Sequence, residues 1–190
     1  MPAPPMRLRA GDALLVVDVQ RDFCSGGALP IADADEIVPM INDLIKEAVE
    51  AKALVVASRD WHPANHSSFH ASGGPWPEHC LQGSDGAKFH AGLRLPAETL
   101  IVTKGQKADK DQYSAFDATG LADQLRRRGV KRVLICGLAR DVCVRATALD
   151  AVDVGFETHV QLSATRPATP AGGKEAVAEM VRAGVILEGV

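Results

Sequence analysis

The stretch 132–151, RVLICGLARDVCVRATALDA, decides the fold because it joins a short apolar strand almost directly to an amphipathic helix. Residues 132–136 form an apolar run that includes β-branched side chains, which favours a buried β-strand. Residues 142–151 place apolar side chains three and four positions apart, as on one face of a helix. A strand followed at once by a helix is the repeating unit of α/β proteins.

The same alternation of apolar strand and amphipathic helix recurs along the chain. Further strands are predicted at 13–17, 53–57, 99–103, 154–159 and 185–187, and further helices at 37–48, 121–125 and 176–181. Near-continuous apolar strands are typical of a parallel sheet that is covered on both faces. The sequence therefore predicts an α/β fold: three layers, with a doubly wound, mainly parallel sheet of about six strands and helices on both faces. No repeat or linker interrupts the pattern, so residues 1–190 are predicted to form a single domain.

Composition excludes several classes of function. The chain has 190 residues, 46% hydrophobic and 24% charged, with a net charge of −3, so neither nucleic acid nor an anionic membrane is an expected partner. The N-terminal MPAPPMRLRA lacks the apolar core of a signal peptide, and the run at 13–17 is too short to span a bilayer. We therefore expect a cytoplasmic protein whose four cysteines are thiols. A homo-oligomer remains open.

One long segment, the 60–96 loop, breaks the alternation. It is rich in Gly, Pro, Ser and Trp, and four of the six histidines lie between residues 62 and 79. A loop of this length is uncommon in a compact domain and usually carries function. It begins at the carboxyl end of the strand at 53–57, the edge at which ligands bind in open α/β sheets.

A metal site is one interpretation of this loop. Asp60 and His62 lie two residues apart, and Pro63 biases His62 towards an extended conformation, so both side chains can face one ion. With His66 and His79 they would provide one carboxylate and three imidazoles, a set that suits Zn²⁺, Fe²⁺ or Mn²⁺. The spacing fits equally well with a polar loop whose histidines hydrogen-bond to the backbone.

Among the cysteines, Cys143 has the position of a nucleophile. Cys136 lies within an apolar strand and is expected in the core. Cys143 follows Asp141, which is a natural N-cap for a helix that begins at residue 142. Cys143 would then lie in the first helical turn, where the helix dipole lowers a thiol pKa and free N–H groups can bind an oxyanion. The position is equally compatible with a small side chain packed against the sheet.

Two charged residues follow buried strands and are candidate partners for Cys143. Asp18 follows the strand at 13–17, and Lys104 follows the strand at 99–103. The carboxyl ends of parallel strands open on one edge of the sheet, so Asp18, Lys104 and Cys143 can meet there. They would provide a proton acceptor, a cation and a nucleophile. Each charge taken singly also fits a solvated strand end.

Six segments carry a resemblance to a known family. They are LLVVDVQRDFCSGGAL from residue 14, SRDWHPANHSSF from 58, GGPWPEHCLQGS from 73, VTKG from 102, DQYSAF from 111 and GLARDVCVRATALDA from 137. The chain resembles the nicotinamidases, also called pyrazinamidases, of the isochorismatase-like cysteine hydrolase superfamily. The loop motif with WPxHC separates that family from metal-free relatives that act on carbamoyl amides or isochorismate.

The resemblance implies roles for residues at matching positions. It implies a catalytic triad of Asp18, Lys104 and Cys143, metal ligands Asp60, His62, His66 and His79, and a substrate pocket lined by Phe23, Trp76, Tyr113 and Leu138. It also implies a cis peptide between Leu138 and Ala139, and an oxyanion hole formed by the N–H groups of Ala139 and Cys143.

The implied activity is hydrolysis of nicotinamide to nicotinate and ammonia through a cysteine thioester, in NAD salvage, with pyrazinamide as a further substrate. The implied cofactor is one divalent ion, with Zn²⁺ ahead of Fe²⁺ and Mn²⁺, and no organic cofactor. The implied partner is a small aromatic amide.

Some positions depart from the family pattern at the mouth of the pocket. Arg140 stands where a threonine is common, Val142 where an aromatic residue or histidine is common, and Arg21 where an asparagine is frequent. These departures leave open an amidase that acts on another small amide or ureido compound. Two non-hydrolytic alternatives are a module that binds metal or nicotinamide without turnover and a thiol redox protein, although no CxxC pair is present.

Overall fold

The computed structural model describes residues 6–189, and its centre is a sheet of six parallel strands. The strands are β1 (Asp12–Val17), β2 (Leu54–Asp60), β3 (Leu100–Lys104), β4 (Arg132–Leu138), β5 (Glu157–Arg166) and β6 (Ile186–Glu188). Their order in the sheet is β3-β2-β1-β4-β5-β6, and every neighbouring pair is parallel.

Helices cover both faces of this sheet, so the predicted three-layer α/β fold is confirmed. The helices are α1 (Ile37–Glu50), α2 (Leu121–Arg127), α3 (Arg145–Asp153) and α4 (Pro170–Arg182). Helix α1 packs on one face together with the segments around residues 23–31 and 87–95, whereas α2, α3 and α4 pack on the other. Within residues 6–189, no helix is both long enough and apolar enough to cross a membrane.

The central strand β1 shows why the sheet needs both layers. All six of its residues are buried, and Leu14 and Val16 belong to one core cluster while Ala13, Leu15 and Val17 belong to the other. Side chains alternate between the two faces of a strand, so an apolar strand without polar alternation requires cover on both sides.

The strand order places a crevice at the carboxyl end of β1. Strand β1 pairs with β2 on one side and with β4 on the other, so the order of the sheet reverses between β1 and β4. This is the switch point at which doubly wound sheets bind ligands. Gly137 near the end of β4 has a φ of +113°, and a β-carbon there would overlap the carbonyl oxygen of Val17. Only glycine allows the two strands to approach so closely at the crevice.

Several element bounds differ from those predicted, and α4, for example, begins at Pro170 rather than at residue 176. Strand β5 extends from Glu157 to Arg166 rather than over 154–159, because its second half alternates polar and apolar side chains. The helix predicted from residue 142 is preceded by a turn of π-helix, Arg140–Val144, and α3 begins only at Arg145. The expectation of no signal peptide concerns in part residues 1–5, which lie outside the described residues.

Candidate active site

A buried lysine stands at the centre of the candidate site. Lys104 is the last residue of β3, and its side chain is fully buried. Its ammonium nitrogen lies 2.8 Å from Asp18 Oδ2, 2.6 Å from Asp60 Oδ1 and 3.5 Å from Cys143 Sγ. The structure thus brings together the three side chains predicted to meet at the carboxyl edge of the sheet, and adds Asp60 to them.

Lys104 forms an ion pair with Asp18 and donates hydrogen bonds to other groups. Its ammonium donates to Asp60 Oδ1, to the carbonyl oxygen of Gln112 at 3.2 Å and to Cys143 Sγ. Those three bonds use all three N–H donors. Among the described residues, no donor is aligned in a hydrogen bond with the buried Oδ2 of Asp18, although Lys104 lies close to it. Asp18 Oδ2 is therefore available to accept a proton.

The other oxygen of Asp18 is held by Ser58 on β2. The Ser58 hydroxyl donates to Asp18 Oδ1 at 2.7 Å, and the Asp18 N–H donates to the Ser58 carbonyl at 3.2 Å. The carboxylate of Asp18 and the sulfur of Cys143 belong to a group of atoms within 4.8 Å of one another. Asp18 is thus oriented with its carboxylate close to the thiol.

Burial and neighbouring charges together shift the pKa values of this cluster. Burial raises the pKa of Asp18, and the nearby Lys104 only partly offsets the effect. Burial alone would lower the pKa of Lys104, but the carboxylates of Asp18 and Asp60 outweigh it and raise that pKa well above its usual value. Burial also raises the pKa of the Cys143 thiol well above its usual value. The lowering predicted from a helix dipole is therefore wrong for this structure, and Cys143 needs a base to lose its proton.

Cys143 lies in the π-helical turn that follows β4. The peptide between Leu138 and Ala139 is cis, as the resemblance implied. The carbonyl oxygen of Ala139 accepts from the N–H groups of Val142 at 3.1 Å and Val144 at 3.0 Å, which folds the chain tightly around Cys143. The cysteine is buried, yet it borders a cavity.

Asp141 does not cap this turn, so its predicted role as an N-cap is wrong. Ala139 occupies the residue position before the turn, with extended backbone angles. The Asp141 carboxylate instead accepts from the N–H groups of Ala168 at 2.7 Å and Thr169 at 3.1 Å. It therefore ties the cysteine turn to the loop that precedes α4, and both Ala168 and Thr169 line the cavity.

Next to the cysteine, three of the four predicted metal ligands converge. Asp60, His62 and His79 are buried, and their ligand atoms lie within 4.8 Å of one another. His62 Nδ1 donates to the carbonyl of Gly105 at 2.9 Å, and His79 Nδ1 donates to the carbonyl of Pro77 at 2.8 Å. A carbonyl only accepts, so each ring, when neutral, carries its proton on Nδ1 and keeps a lone pair on Nε2. Burial lowers the pKa of His62, but the neighbouring Asp60 outweighs it and raises that pKa, so a metal ion at this site would displace a proton from His62.

This donor set fits a divalent ion. Protein metal sites commonly hold each histidine through a hydrogen bond from its second ring nitrogen, as His62 and His79 are held here. Burial lowers the pKa of His79, which keeps that ring neutral as a ligand must be. One carboxylate and two imidazoles make a three-residue set with the donors that zinc and similar metals prefer.

His66 does not join this group in the structure. Its ring stacks on that of His62 with centroids 4.0 Å apart. Its Nδ1 accepts from the N–H of Ser68 at 3.2 Å, and its Nε2 donates to the carbonyl of Lys110 at 3.1 Å. Both nitrogens are engaged, so His66 has no free lone pair for a metal, and its role as a fourth ligand stays a prediction.

The cysteine and the donor group open into one cavity of about 350 Å³. Its lining includes the four residues predicted to bind substrate: Phe23, Trp76, Tyr113 and Leu138. The Trp76 indole N–H donates to the Tyr113 hydroxyl at 3.2 Å, which links two aromatic walls. The ring centroid of Phe23 lies 5.6 Å from that of His79. A flat aromatic molecule would therefore contact the donor group and Cys143 together.

Sequence reasoning missed the polar residues that hold this site in place. Ser58 orients Asp18, Gln112 accepts from Lys104 through its carbonyl, and Gln20 binds the backbone of Asp60. The one available signal was a polar side chain directly after a run of apolar strand residues, as at Ser58 in β2. Ser58 and Gln20 each lie 40 positions from their partners, so local spacing did not reveal them, whereas Gln112 lies only eight positions from Lys104.

The fold and the site together define an α/β protein with a cysteine-centred site at the switch point of a parallel sheet. The isochorismatase domain family matches residues 12–189, so the chain belongs to the isochorismatase family.

Individual relatives agree with that assignment. The chain is 37% identical to the nicotinamidase of Escherichia coli (strain K12), over 92% of this chain and 93% of the relative. The crystal structure of the pyrazinamidase of Pyrococcus horikoshii in complex with zinc is 48% identical, covers 93% of this chain and 98% of its own, and superposes with a TM-score of 0.91. The structure of PnC1 from L. infantum in complex with nicotinate is 39% identical, covers 96% of each chain and has a TM-score of 0.88.

Proposed function

We propose that this protein is an amidohydrolase that converts nicotinamide to nicotinate and ammonia through a thioester on Cys143. One observation carries the proposal: a buried cysteine, lysine and aspartate share an aromatic-lined cavity with a carboxylate–imidazole donor group. The names of the relatives and the nicotinate bound in the L. infantum structure support this substrate. Pyrazinamide is a second substrate under the same proposal, because a nicotinamidase/pyrazinamidase relative is 38% identical.

The proposal includes one divalent ion held by Asp60, His62 and His79, with Zn²⁺ the first choice and Fe²⁺ or Mn²⁺ the alternatives. The zinc in the Pyrococcus horikoshii structure supports that choice. Such an ion would act as a Lewis acid that can bind the pyridine nitrogen of the substrate. His66 becomes a ligand only if its ring turns away from Lys110 and Ser68.

Formation of the thioester begins with a proton transfer. Asp18 Oδ2, which has no hydrogen-bond donor aligned with it, takes the proton of Cys143 Sγ, and the ammonium of Lys104 stabilises the thiolate. The sulfur attacks the amide carbon, and the N–H groups of Ala139 and Cys143 donate to the oxyanion. Asp18 then returns the proton to the amide nitrogen, the C–N bond breaks, and ammonia leaves.

Hydrolysis of the thioester uses the same groups in a second round. Asp18 takes a proton from water, and the hydroxide attacks the thioester carbon under the same pair of N–H groups. The S–C bond breaks, the proton on Asp18 returns to the Cys143 sulfur, and nicotinic acid leaves and gives its carboxyl proton to solvent to become nicotinate. Phe23, Trp76 and Tyr113 hold the ring by stacking and edge contacts throughout both rounds.

The experiment that tests this proposal is an ammonia-release assay on nicotinamide, run before and after chelation of the purified protein. We expect ammonia and nicotinate in equal amounts, loss of turnover on chelation, and recovery with one of Zn²⁺, Fe²⁺ or Mn²⁺. No ammonia from nicotinamide, with no metal bound, would favour a metal-free amidase acting on another small amide or ureido compound.

Two other functions are disfavoured by the geometry. A module that binds without turnover has no need for Lys104 Nζ at 3.5 Å from Cys143 Sγ and 2.8 Å from Asp18. A thiol redox protein would need Cys80 to resolve Cys143, but Cys80 is fully buried and burial raises its pKa further above its usual value.

The wider setting is also part of the proposal. Nicotinate formation places the enzyme in NAD salvage, and the reduced thiols expected from the sequence suit the cytoplasm. Residues 1–190 are proposed to act as one domain. A homo-oligomer remains a prediction.

A further inference from the structure

Strand β1 ends before its neighbour β2 does. The last backbone pair between them joins Val17 to Ser58, whereas β2 continues to Asp60. Asp18 has a φ of +48°, which turns the backbone of β1 out of the sheet. The backbone groups of Asp60 that face β1 therefore have no strand to pair with, although Asp60 is buried and buried backbone groups require partners.

The side chain of Gln20 takes the place of that missing strand. Its Oε1 accepts from the Asp60 N–H at 2.8 Å, and its Nε2 donates to the Asp60 carbonyl at 2.8 Å. The second N–H of the amide donates to the carbonyl of Ala87 at 2.9 Å. Gln20 is fully buried, so its amide acts as a peptide group that extends the ladder by one residue.

We propose that Gln20 is a positioning residue that fixes the metal-binding carboxylate of Asp60. This inference rests on the proposed metal site. Each oxygen of the Asp60 carboxylate has a close contact: Oδ1 accepts from Lys104 at 2.6 Å, and Oδ2 lies 3.6 Å from His62 Nε2. A backbone shift at Asp60 would alter both contacts, since the side chain is short and moves with its Cα.

The test compares metal affinity in shape-matched variants. Gln20→Met keeps the volume of the side chain and removes all three hydrogen bonds, while Gln20→Glu keeps an acceptor for the Asp60 N–H and loses both donors. We expect each variant to bind Zn²⁺ about 10–100-fold more weakly than wild type in competition with a chromophoric chelator. Excess Zn²⁺ should restore most of kcat, because neither variant removes a group that contacts substrate.

Gln161→Met is the matched control. The Gln161 amide donates to Ser163 Oγ at 2.8 Å on β5, away from the metal-binding residues. We expect this control to keep the Zn²⁺ affinity of wild type. Thermal unfolding of the metal-free proteins shows which variants fold, and Gln20→Glu decides the test if Gln20→Met does not fold.

Two outcomes would overturn the inference in distinguishable ways. Wild-type protein that binds Zn²⁺ tightly, beside a folded Gln20 variant whose affinity is within twofold, overturns the role of Gln20 and leaves the proposed function intact. Wild-type protein that binds no Zn²⁺, Fe²⁺ or Mn²⁺ overturns both. A lower melting temperature with unchanged Zn²⁺ affinity would show that Gln20 serves stability alone.

Discussion

The two halves of the site are held in place by different means. The strand-end half consists of Asp18, Asp60 and Lys104, and Asp60 and Lys104 are direct partners in the ladder between β2 and β3. The loop half consists of His62, His66 and His79, each oriented by hydrogen bonds to loop residues. Sheet register fixes the first half by many bonds at once, whereas one or two bonds per ring fix the second. Each ring of the loop half therefore depends on fewer hydrogen bonds than a residue that sheet register holds in place.

The largest effect is expected when the nucleophile beside the strand-end half, Cys143, is replaced. Cys143→Ala should lower kcat for nicotinamide by more than about 10³-fold while nicotinamide still binds, because losing a nucleophile costs more than losing one oxyanion donor. Ammonia release and equilibrium binding check this. Cys136→Ala is the control, since Cys136 is buried within β4 and should leave kcat nearly unchanged. Residual activity near wild type in Cys143→Ala would refute the nucleophile assignment.

Within the loop half, two histidines should differ in their importance. His79→Ala should weaken Zn²⁺ binding by more than about 100-fold, and His66→Ala by about tenfold. Of these two histidines, His79 alone has a free Nε2 beside Asp60. Elemental analysis and chelator competition measure both. Equal losses would show that the His66 ring turns to become a fourth ligand.

A glycine next to the loop half should also matter. Gly105 has a φ of +68°, and a β-carbon there would overlap the ring of His62, so Gly105→Ala should weaken Zn²⁺ binding about tenfold. Gly129→Ala is the matched control, since Gly129 has a φ of +72° with open space around its α-carbon. Both variants carry the same backbone strain. A similar Zn²⁺ affinity in the two would contradict the role of the close contact.

The smallest effect is expected in the strand-end half. The Ser58 hydroxyl donates to Asp18 and lowers the pKa of that carboxyl against the effect of burial. Asp18 must be ionised to act as a base, so Ser58→Ala should raise its pKa, move the acid limb of the kcat/KM profile to higher pH, and lower kcat by up to about tenfold. Ser58→Thr keeps the hydroxyl and should restore the profile. An unshifted acid limb in Ser58→Ala would argue against Asp18 as the base.

The sequence predicted the strand-end half of the site more completely than the loop half. Asp18 and Lys104 were predictable because each follows an apolar strand, and parallel strand ends share one edge. The loop spacing brought out Asp60, His62 and His79 but did not separate them from His66. That difference depends on where Ser68 and Lys110 place their backbone groups, which only the folded loop determines.

Other differences have equally physical origins. Asp141 is a residue type that is favoured at N-caps. The backbone N–H groups of Ala168 and Thr169, however, come close enough to bind its carboxylate instead. The helix dipole favours a thiolate at Cys143, but complete burial beside two carboxylates has the larger effect and raises the thiol pKa. Local pattern predicts which residue types lie at a site, whereas contacts distant in sequence determine how each one is oriented.

The position of β1 in the sheet has a consequence for biosynthesis. Of the six strands, β1 is the first to leave the ribosome. Strand β2 can pair with one edge of β1 as it follows, and β3 can then pair with β2. Its other edge must wait for β4, whose first residue, Arg132, forms an ion pair with Asp12 across 120 positions of sequence. An open strand edge is a site for wrong pairing, and translation of so long an interval takes several seconds or more at about 5–20 residues per second. The switch point that forms the catalytic crevice is therefore also the seam that the nascent chain closes late.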